Sequence, residues 1–132
     1  MVTLFLESIL KKLKAYRPFR EFMGRCAKDE YPLSLYGPKG SFLSILIAAL
    51  QRQRPRTILI VLPSEKEVEA LVRDCRAFGL DAVGFPWWQA APYSEQPNHT
   101  NVSAARMSVL SKLLGGEKLT VCLSVRALMG LL

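Results

Sequence analysis

The sequence predicts a doubly wound α/β protein, in which a parallel sheet carries helices on both faces. Short apolar segments of strand character alternate four times with longer segments of helical periodicity. One of the apolar segments, residues 57–62, is a β-branched run between Pro55 and Pro63, which is typical of a buried strand. Buried parallel strands with helical crossovers account for this alternation, because each helix returns the chain to the same end of the sheet.

Two helices are predicted ahead of the first strand. The first covers residues 4–16, and its apolar positions are Leu6, Ile9, Leu10 and Leu13. The second follows Pro18, and the residues at one-face spacing are Phe19, Phe22, Met23 and Cys26. We therefore assign residues 1–30 to an N-terminal helical segment and residues 31–132 to the α/β part.

Strands are predicted in the α/β part at residues 33–36, 57–62, 81–85 and 119–123. Helices are predicted over residues 42–53, from a Ser64–Glu67 capping box to Gly79, from Thr100 or Asn101 to Gly115, and after the cap Ser124. The inward residues of the second of these helices are Val68, Leu71, Val72, Cys75 and Phe78. Those of the third are Val102, Met107, Leu110 and Leu114. Residues 86–99 form a long loop.

The composition indicates which partners, metal sites and cellular location to expect for this chain. A net charge of +7 suits a partner rich in phosphate or carboxylate, although a solvated surface explains it equally well. The candidate nucleic-acid contacts are Arg52, Arg54, Arg56 and Arg106.

The three cysteines form no CxxC pair and the single histidine cannot complete a zinc site, so no metal is expected. The absence of a secretory signal and of a membrane span predicts a cytoplasmic protein without membrane contact.

A glycine-rich turn joins the first predicted strand to its helix, where P-loop proteins hold phosphate. The full motif is G-x-x-x-x-G-K-[ST], and this chain has Gly37-Pro38-Lys39-Gly40-Ser41-Phe42-Leu43-Ser44. Phe42 replaces the second glycine, and Leu43 replaces the lysine that neutralises phosphate. Because an acidic pair after an apolar strand is also missing, we expect no catalytic residue and no functional nucleotide site. The turn is either a plain connection or a former phosphate loop kept for its shape, and we favour the second interpretation.

Several segments resemble one family, the UvrB-like N-terminal modules of bacterial transcription-repair coupling factors (Mfd). The stretch Leu35-Tyr36-Gly37-Pro38-Lys39-Gly40-Ser41 resembles the degenerate loop that opens the module. The segment FPWWQAAPY resembles the family's FPxWExLPY, with Trp88, Pro92 and Tyr93 matching and Gln89 in place of glutamate. The following helix is similar at Arg106, Leu110, Leu113 and Leu114. The segment VCLSVRAL resembles VVTPVRAL, with Ser124 in place of proline, and the likeness covers roughly residues 31–132.

The resemblance implies a RecA-like fold and a non-catalytic role. In that family a second subdomain, which contacts UvrA, interrupts the first, and the chain later returns to finish the sheet. The sheet of this chain is therefore expected to be incomplete. ATP and magnesium belong to a downstream motor that acts on stalled RNA polymerase. We accordingly expect UvrA and RNA polymerase to be partners of a full-length protein, and DNA to bind residues 1–132 weakly and without sequence preference.

Two other interpretations remain open at this point. A stand-alone basic protein that binds nucleic acid is suggested by the charge and by the aromatic loop, since Trp88 and Tyr93 could stack on unpaired bases. Packing of these rings over the sheet edge is the interpretation we favour. A working NTPase or helicase domain is the third possibility, and Leu43 argues against it.

Overall fold

The elements alternate as an α/β protein requires, after a helical start. The computed structural model describes residues 2–37, 40–87 and 98–129. The helices are α1 (Val2–Leu13), α2 (Arg17–Ala27), α3 (Ser41–Gln53), α4 (Glu65–Ala77), α5 (Asn98–Leu114) and α6 (Val125–Met129). The strands are β1 (Ile58–Leu62), β2 (Ala82–Phe85) and β3 (Thr120–Ser124). None of the helices in these ranges is both long and apolar enough to span a bilayer.

The three strands form one parallel sheet in the order β1-β3-β2. Cys122 of the central strand is level with Ile60 on one side and with Gly84 on the other. All five residues of β3 are buried, as expected for a strand with a neighbour on both sides. The strands predicted at residues 57–62, 81–85 and 119–123 are thus confirmed to within one residue at each end.

The strand predicted at residues 33–36 is wrong. These residues have no secondary structure, and Leu35 and Tyr36 are exposed. Strand propensity alone is weak, because a strand is stabilised by the ladder and packing that a neighbour supplies. The sheet in the described part of the chain therefore has three strands rather than four.

Strand β1 was predicted to be a buried strand, and this is also wrong. Its residues alternate between half-buried and exposed, with Leu59 and Val61 on the exposed side. The cause is its place at the edge of the sheet, since a run of apolar residues does not reveal whether a strand is central or lateral.

Helices cover both faces of the sheet at β2 and β3. A Cβ atom added to Gly84 would lie 3.7 Å from Val68 Cγ1 and 3.8 Å from Val72 Cγ2, so α4 packs closely on this face. On the other face, Val109 of α5 and Ala127 of α6 pack with Phe85 of β2 in one buried cluster. The predicted apolar stripe of α4 is buried as expected, with Phe78 only partly so.

The inward face predicted for α5 is wrong at three of its four residues, and only Val102 is half-buried. Met107 and Leu114 are 62% and 90% exposed, and Leu110 is also exposed. The buried residues are instead Arg106 and Val109. Apolar residues occur around the whole circumference of α5, so helical spacing alone is consistent with more than one buried face. In the structure the buried face is the one with Arg106 and Val109.

Helices α1, α2 and α3 form a second core. The chain consists of two compact units, one of Met1–Pro55 with Asp74–Leu80 and another of Arg56–Arg73 with Asp81–Leu132. The first unit has a buried cluster around Leu6, Leu10, Phe19 and Leu46, with Ile9 and Leu13 partly buried beside it. The apolar faces predicted for α1 and α2 are thereby confirmed.

The predicted ends of α4 are confirmed by their hydrogen bonds. Ser64 Oγ accepts a bond from the Glu67 amide at 3.3 Å, which caps the first turn. At the other end Gly79 has φ +79°, and the Leu80 amide donates to the Cys75 carbonyl at 3.0 Å. This is the Schellman arrangement, in which glycine adopts the left-handed conformation at low cost.

The three cysteines are buried and free. Burial raises the pKa of the Cys122 thiol to about 11 from an ordinary value of 9.0. Because the unfolded chain loses this proton first, the free energy of unfolding should fall as the pH rises above about 9, through about 11. We expect urea denaturation at several pH values to show this fall in the parent chain and a smaller fall in Cys122→Ala. Equal pH dependence of the two proteins would contradict the prediction.

Candidate functional site

The degenerate loop keeps the backbone form of a glycine turn ahead of a helix. Gly37 has φ +105° and Gly40 has φ +56°, conformations that residues with a Cβ rarely adopt. Helix α3 begins at Ser41 directly after this turn. Pro38 and Lys39 lie outside the described residues. The turn therefore has glycine where the backbone requires it and leads into a helix as a P-loop does, but the strand that precedes a P-loop is absent at residues 33–36.

The hydroxyl of Ser44, which stands at the magnesium-binding position of the motif, is already engaged. Its Oγ donates to the Ser41 carbonyl at 2.6 Å, within the first turn of α3. The side chain is completely buried. A metal ion at this position would need the hydroxyl to turn outward and give up that hydrogen bond.

The two substituted positions carry apolar side chains. Phe42 and Leu43 are half-buried. Phe42 helps line an apolar cavity of about 260 Å³ in the helical unit. The other lining residues are Tyr16, Pro18, Phe19, Phe22, Leu35, Tyr36, Gly37 and Leu46. Leucine offers no positive charge to a triphosphate, which is the reason that we expect no nucleotide to bind at this loop.

We expect no saturable heat when the chain is titrated with Mg-ATP in a calorimeter. The reason is the apolar pair Phe42 and Leu43 in place of glycine and lysine. The double variant Phe42→Gly, Leu43→Lys should recover at most weak binding and no turnover, because the sequence lacks the acidic pair on the magnesium side. Micromolar affinity in the parent chain would contradict this prediction.

Two of the four candidate nucleic-acid arginines are engaged in ion pairs of the helical unit. Arg52 Nη1 lies 3.5 Å from Glu7 Oε1. Arg54 binds Asp29 with both terminal nitrogens, at 2.5 and 3.4 Å. The hydrogen bond and the charge of Asp29 raise the pKa of Arg54. Arg56 is half-buried. Ion pairs between exposed side chains are weak and are screened by salt. A phosphate group that binds Arg52 or Arg54 would therefore have to displace only a weakly held carboxylate.

Arg106, the fourth candidate, has a structural position. Its side chain is 5% exposed, and Nη1 donates to the Pro86 carbonyl at 2.7 Å. The guanidinium carbon lies 4.2 Å from the centre of the Phe85 ring, a cation–π contact. Burial lowers the pKa of Arg106. Because phosphate cannot reach a buried guanidinium, we remove Arg106 from the candidate contacts and assign it a role in fixing the chain that leaves β2.

The family-motif residues Trp88, Pro92 and Tyr93 lie outside the described residues. The neighbouring Trp87 is described and is half-buried against the cluster of Phe85 and Val109. The Arg126 guanidinium lies 5.3 Å from the Trp87 ring centre. Trp87 therefore packs on the sheet cluster, while the packing role of Trp88 and Tyr93 stays a prediction.

A contact at the carboxyl ends of the strands was not predicted from the sequence. Ser124 Oγ donates to the Glu65 carboxylate and accepts a bond from the Ala127 amide at 3.1 Å. The second bond confirms Ser124 as the cap of α6. The first joins the end of β3 to the start of α4. No sequence pattern indicates this contact, because 59 positions separate the two residues.

Among the described residues, no three histidine, cysteine or acidic side chains lie close enough together to hold a metal ion. Comparison with protein-family models, with curated proteins and with solved structures found no match to this chain. The function is therefore inferred from the residues and their geometry.

Proposed function

We propose that this chain is a non-catalytic UvrB-like scaffold module of a bacterial transcription-repair coupling factor, helping to link stalled RNA polymerase to UvrA-dependent nucleotide excision repair. The observation that carries the proposal is the loop from Gly37 to Ser44. It combines the glycine turn and helix start of a phosphate loop with side chains that pack or bond internally. That combination fits a domain that descends from an ATPase and now serves only to bind.

The parallel sheet supports the same proposal at the level of the fold. We assign the β1-β3-β2 sheet to an incomplete RecA-like domain, in which further strands would extend the sheet. The aromatic segment after β2 and the VCLSVRAL segment at β3 and α6 follow the degenerate loop in the family's order.

Binding without turnover needs a shaped protein surface. The net charge of +7 supplies a weak attraction to DNA of any sequence, because displaced counterions drive it. Such attraction carries no information about damage or about a stalled polymerase. Recognition of UvrA and polymerase would therefore come from protein contacts, while ATP and magnesium act in the family's separate motor.

A domain exchange tests the proposal. The chain would replace the corresponding segment of a characterised coupling factor, and repair of the transcribed and non-transcribed strands would be measured. The matched control carries an unrelated α/β domain of similar size in the same place. We expect the exchange to retain preferential repair of the transcribed strand and the control to lose it. Equal loss in both chimeras would refute the proposal.

Direct binding measurements separate this function from the alternatives. We expect the isolated chain to bind duplex DNA weakly, to release it at moderate salt, and to capture little UvrA. Strong UvrA capture would place the contact surface within residues 1–132. Tight, salt-resistant binding of single-stranded nucleic acid would favour the stand-alone nucleic-acid-binding protein instead.

A further inference from the structure

The positive charge of the chain is concentrated in its helical unit. That unit, residues 1–55 with 74–80, contains eleven basic and five acidic side chains, a net charge of +6. The other unit contains seven basic and six acidic side chains, a net charge of +1. A surface that serves solubility alone usually mixes both signs. An excess of one sign on one unit instead indicates an anionic partner for that unit.

The densest part of this charge lies where α1 ends and α2 begins. Residues 11–20, which we call the basic corner, contain five basic side chains and no acidic one. The fifth of these cations, Arg17, forms an exposed pair with Glu21. The other four are exposed and make no ion pair within the part of the chain that the structure describes: Lys11, Lys12, Lys14 and Arg20.

The basic corner offers phosphate a more accessible contact than the arginines that follow α3 or end it. Arg52 and Arg54 are paired with Glu7 and Asp29, and a phosphate has to displace those carboxylates. The lysines of the corner need no such exchange. Clustered like charges repel one another, and a polyanion that lies across them relieves the repulsion. A lysine ammonium holds phosphate as a point charge, which suits contact with a backbone of any sequence.

An anionic membrane is the other surface that a basic helix could meet. A helix that lies in a bilayer needs its apolar face free for insertion. The apolar face of α1 is already covered, since Leu6 and Leu10 are buried in the core that α1 shares with α2 and α3. Leu4 and Phe5 remain exposed, but two side chains at the far end of α1 provide little apolar area. The charge distribution and the covered face together favour nucleic acid.

We propose that the basic corner is the surface on which this chain binds the phosphate backbone of duplex DNA, without sequence preference. The inference rests on the proposed function for the existence of a weak DNA contact, and it assigns that contact to Lys11, Lys12, Lys14 and Arg20. Binding releases counterions that are condensed on the DNA, so the affinity falls steeply with salt. The number of cations in the contact therefore determines the slope of that dependence.

DNA binding of the full chain, measured by fluorescence anisotropy over a range of salt concentrations, tests this assignment. The corner variant combines Lys11→Ala, Lys12→Ala and Lys14→Ala. The matched control removes the same charge from exposed positions of the other unit, with Lys66→Ala, Arg73→Ala and Lys118→Ala. We expect the corner variant to bind about tenfold more weakly at low salt. Its slope of log affinity against log salt should be smaller by about 2–3, because each phosphate contact contributes about 0.9.

The control should keep the affinity and the slope of the parent chain, and two duplexes of unrelated sequence should bind alike. Replacing the three corner lysines by arginine should preserve binding, because the charge is retained. Equal weakening by the corner variant and the control would overturn the assignment while leaving the weak DNA contact intact. Tighter binding of the parent chain to anionic phospholipid vesicles than to DNA would assign the corner to a membrane instead.

A parent chain that binds no DNA at low salt would overturn the assignment together with the DNA contact. The scaffold role is then still decided separately, by strand-specific repair in the domain exchange. Far-UV circular dichroism verifies that every variant is folded, and alanine at these helical and turn positions leaves the buried core of the helical unit unchanged.

Discussion

Leu123→Ala should lower the free energy of unfolding by about 2–5 kcal/mol, as truncations of fully buried leucines do. Leu123 is buried in the central strand and belongs to the cluster that joins the sheet to α5 and α6. Its removal leaves a cavity that strands on both sides cannot easily close. A domain of this size is stable by roughly 5–15 kcal/mol, so the variant would lose a large part of its stability.

Urea denaturation followed by circular dichroism measures this loss. The matched control is Leu114→Ala, the same substitution at a residue that is 90% exposed. Its unfolding free energy should change by less than about 0.5 kcal/mol. Similar effects of the two substitutions would show that Leu123 does not lie in the core.

Arg106→Ala should be the second strongly destabilising change. It leaves the Pro86 carbonyl without its donor, which costs about 1–3 kcal/mol when the group is buried. It also removes the stacked guanidinium from Phe85 and leaves a gap beneath α5. Arg106→Lys should recover only part of the loss, because an ammonium group does not stack as a planar guanidinium does.

The control for Arg106 is an arginine on the protein surface. Arg20 is exposed on α2, and Arg20→Ala should leave the urea midpoint nearly unchanged. DNA affinity provides a second readout. If Arg106 acts in packing, a folded Arg106→Lys protein binds DNA as the parent chain does. A large loss of DNA binding with an unchanged midpoint would restore Arg106 as a phosphate contact.

The sequence predicted elements well where local chemistry decides them. Ser64 and Gly79 mark the ends of α4 because a cap and a left-handed turn depend on nearby atoms alone. Strand β1 was recognised from its β-branched residues, but its exposure on one face was not, since that depends on the strand order. Residues 33–36 resembled a strand in composition, yet no neighbour pairs with them in the described structure.

In the candidate site, too, the features that depend on nearby residues could be predicted and those that depend on distant residues could not. The replacement of the motif's second glycine and lysine by Phe42 and Leu43 could be recognised from the sequence, and the structure adds that Phe42 lines a cavity. The burial of Arg106 could not be predicted, because an arginine among apolar positions normally marks the solvent side of a helix. The Ser124–Glu65 contact depends on parallel strand pairing and lies beyond any local pattern.

The order of the strands has a consequence for how the protein is made. The central strand β3 follows both of its neighbours in the sequence, so β1 and β2 leave the ribosome before the strand that joins them. Until residues 120–124 emerge, the sheet cannot close, and the apolar segments ILIVL and AVGF have no ladder partner. Non-local pairing of this kind slows folding and prolongs exposure of aggregation-prone segments.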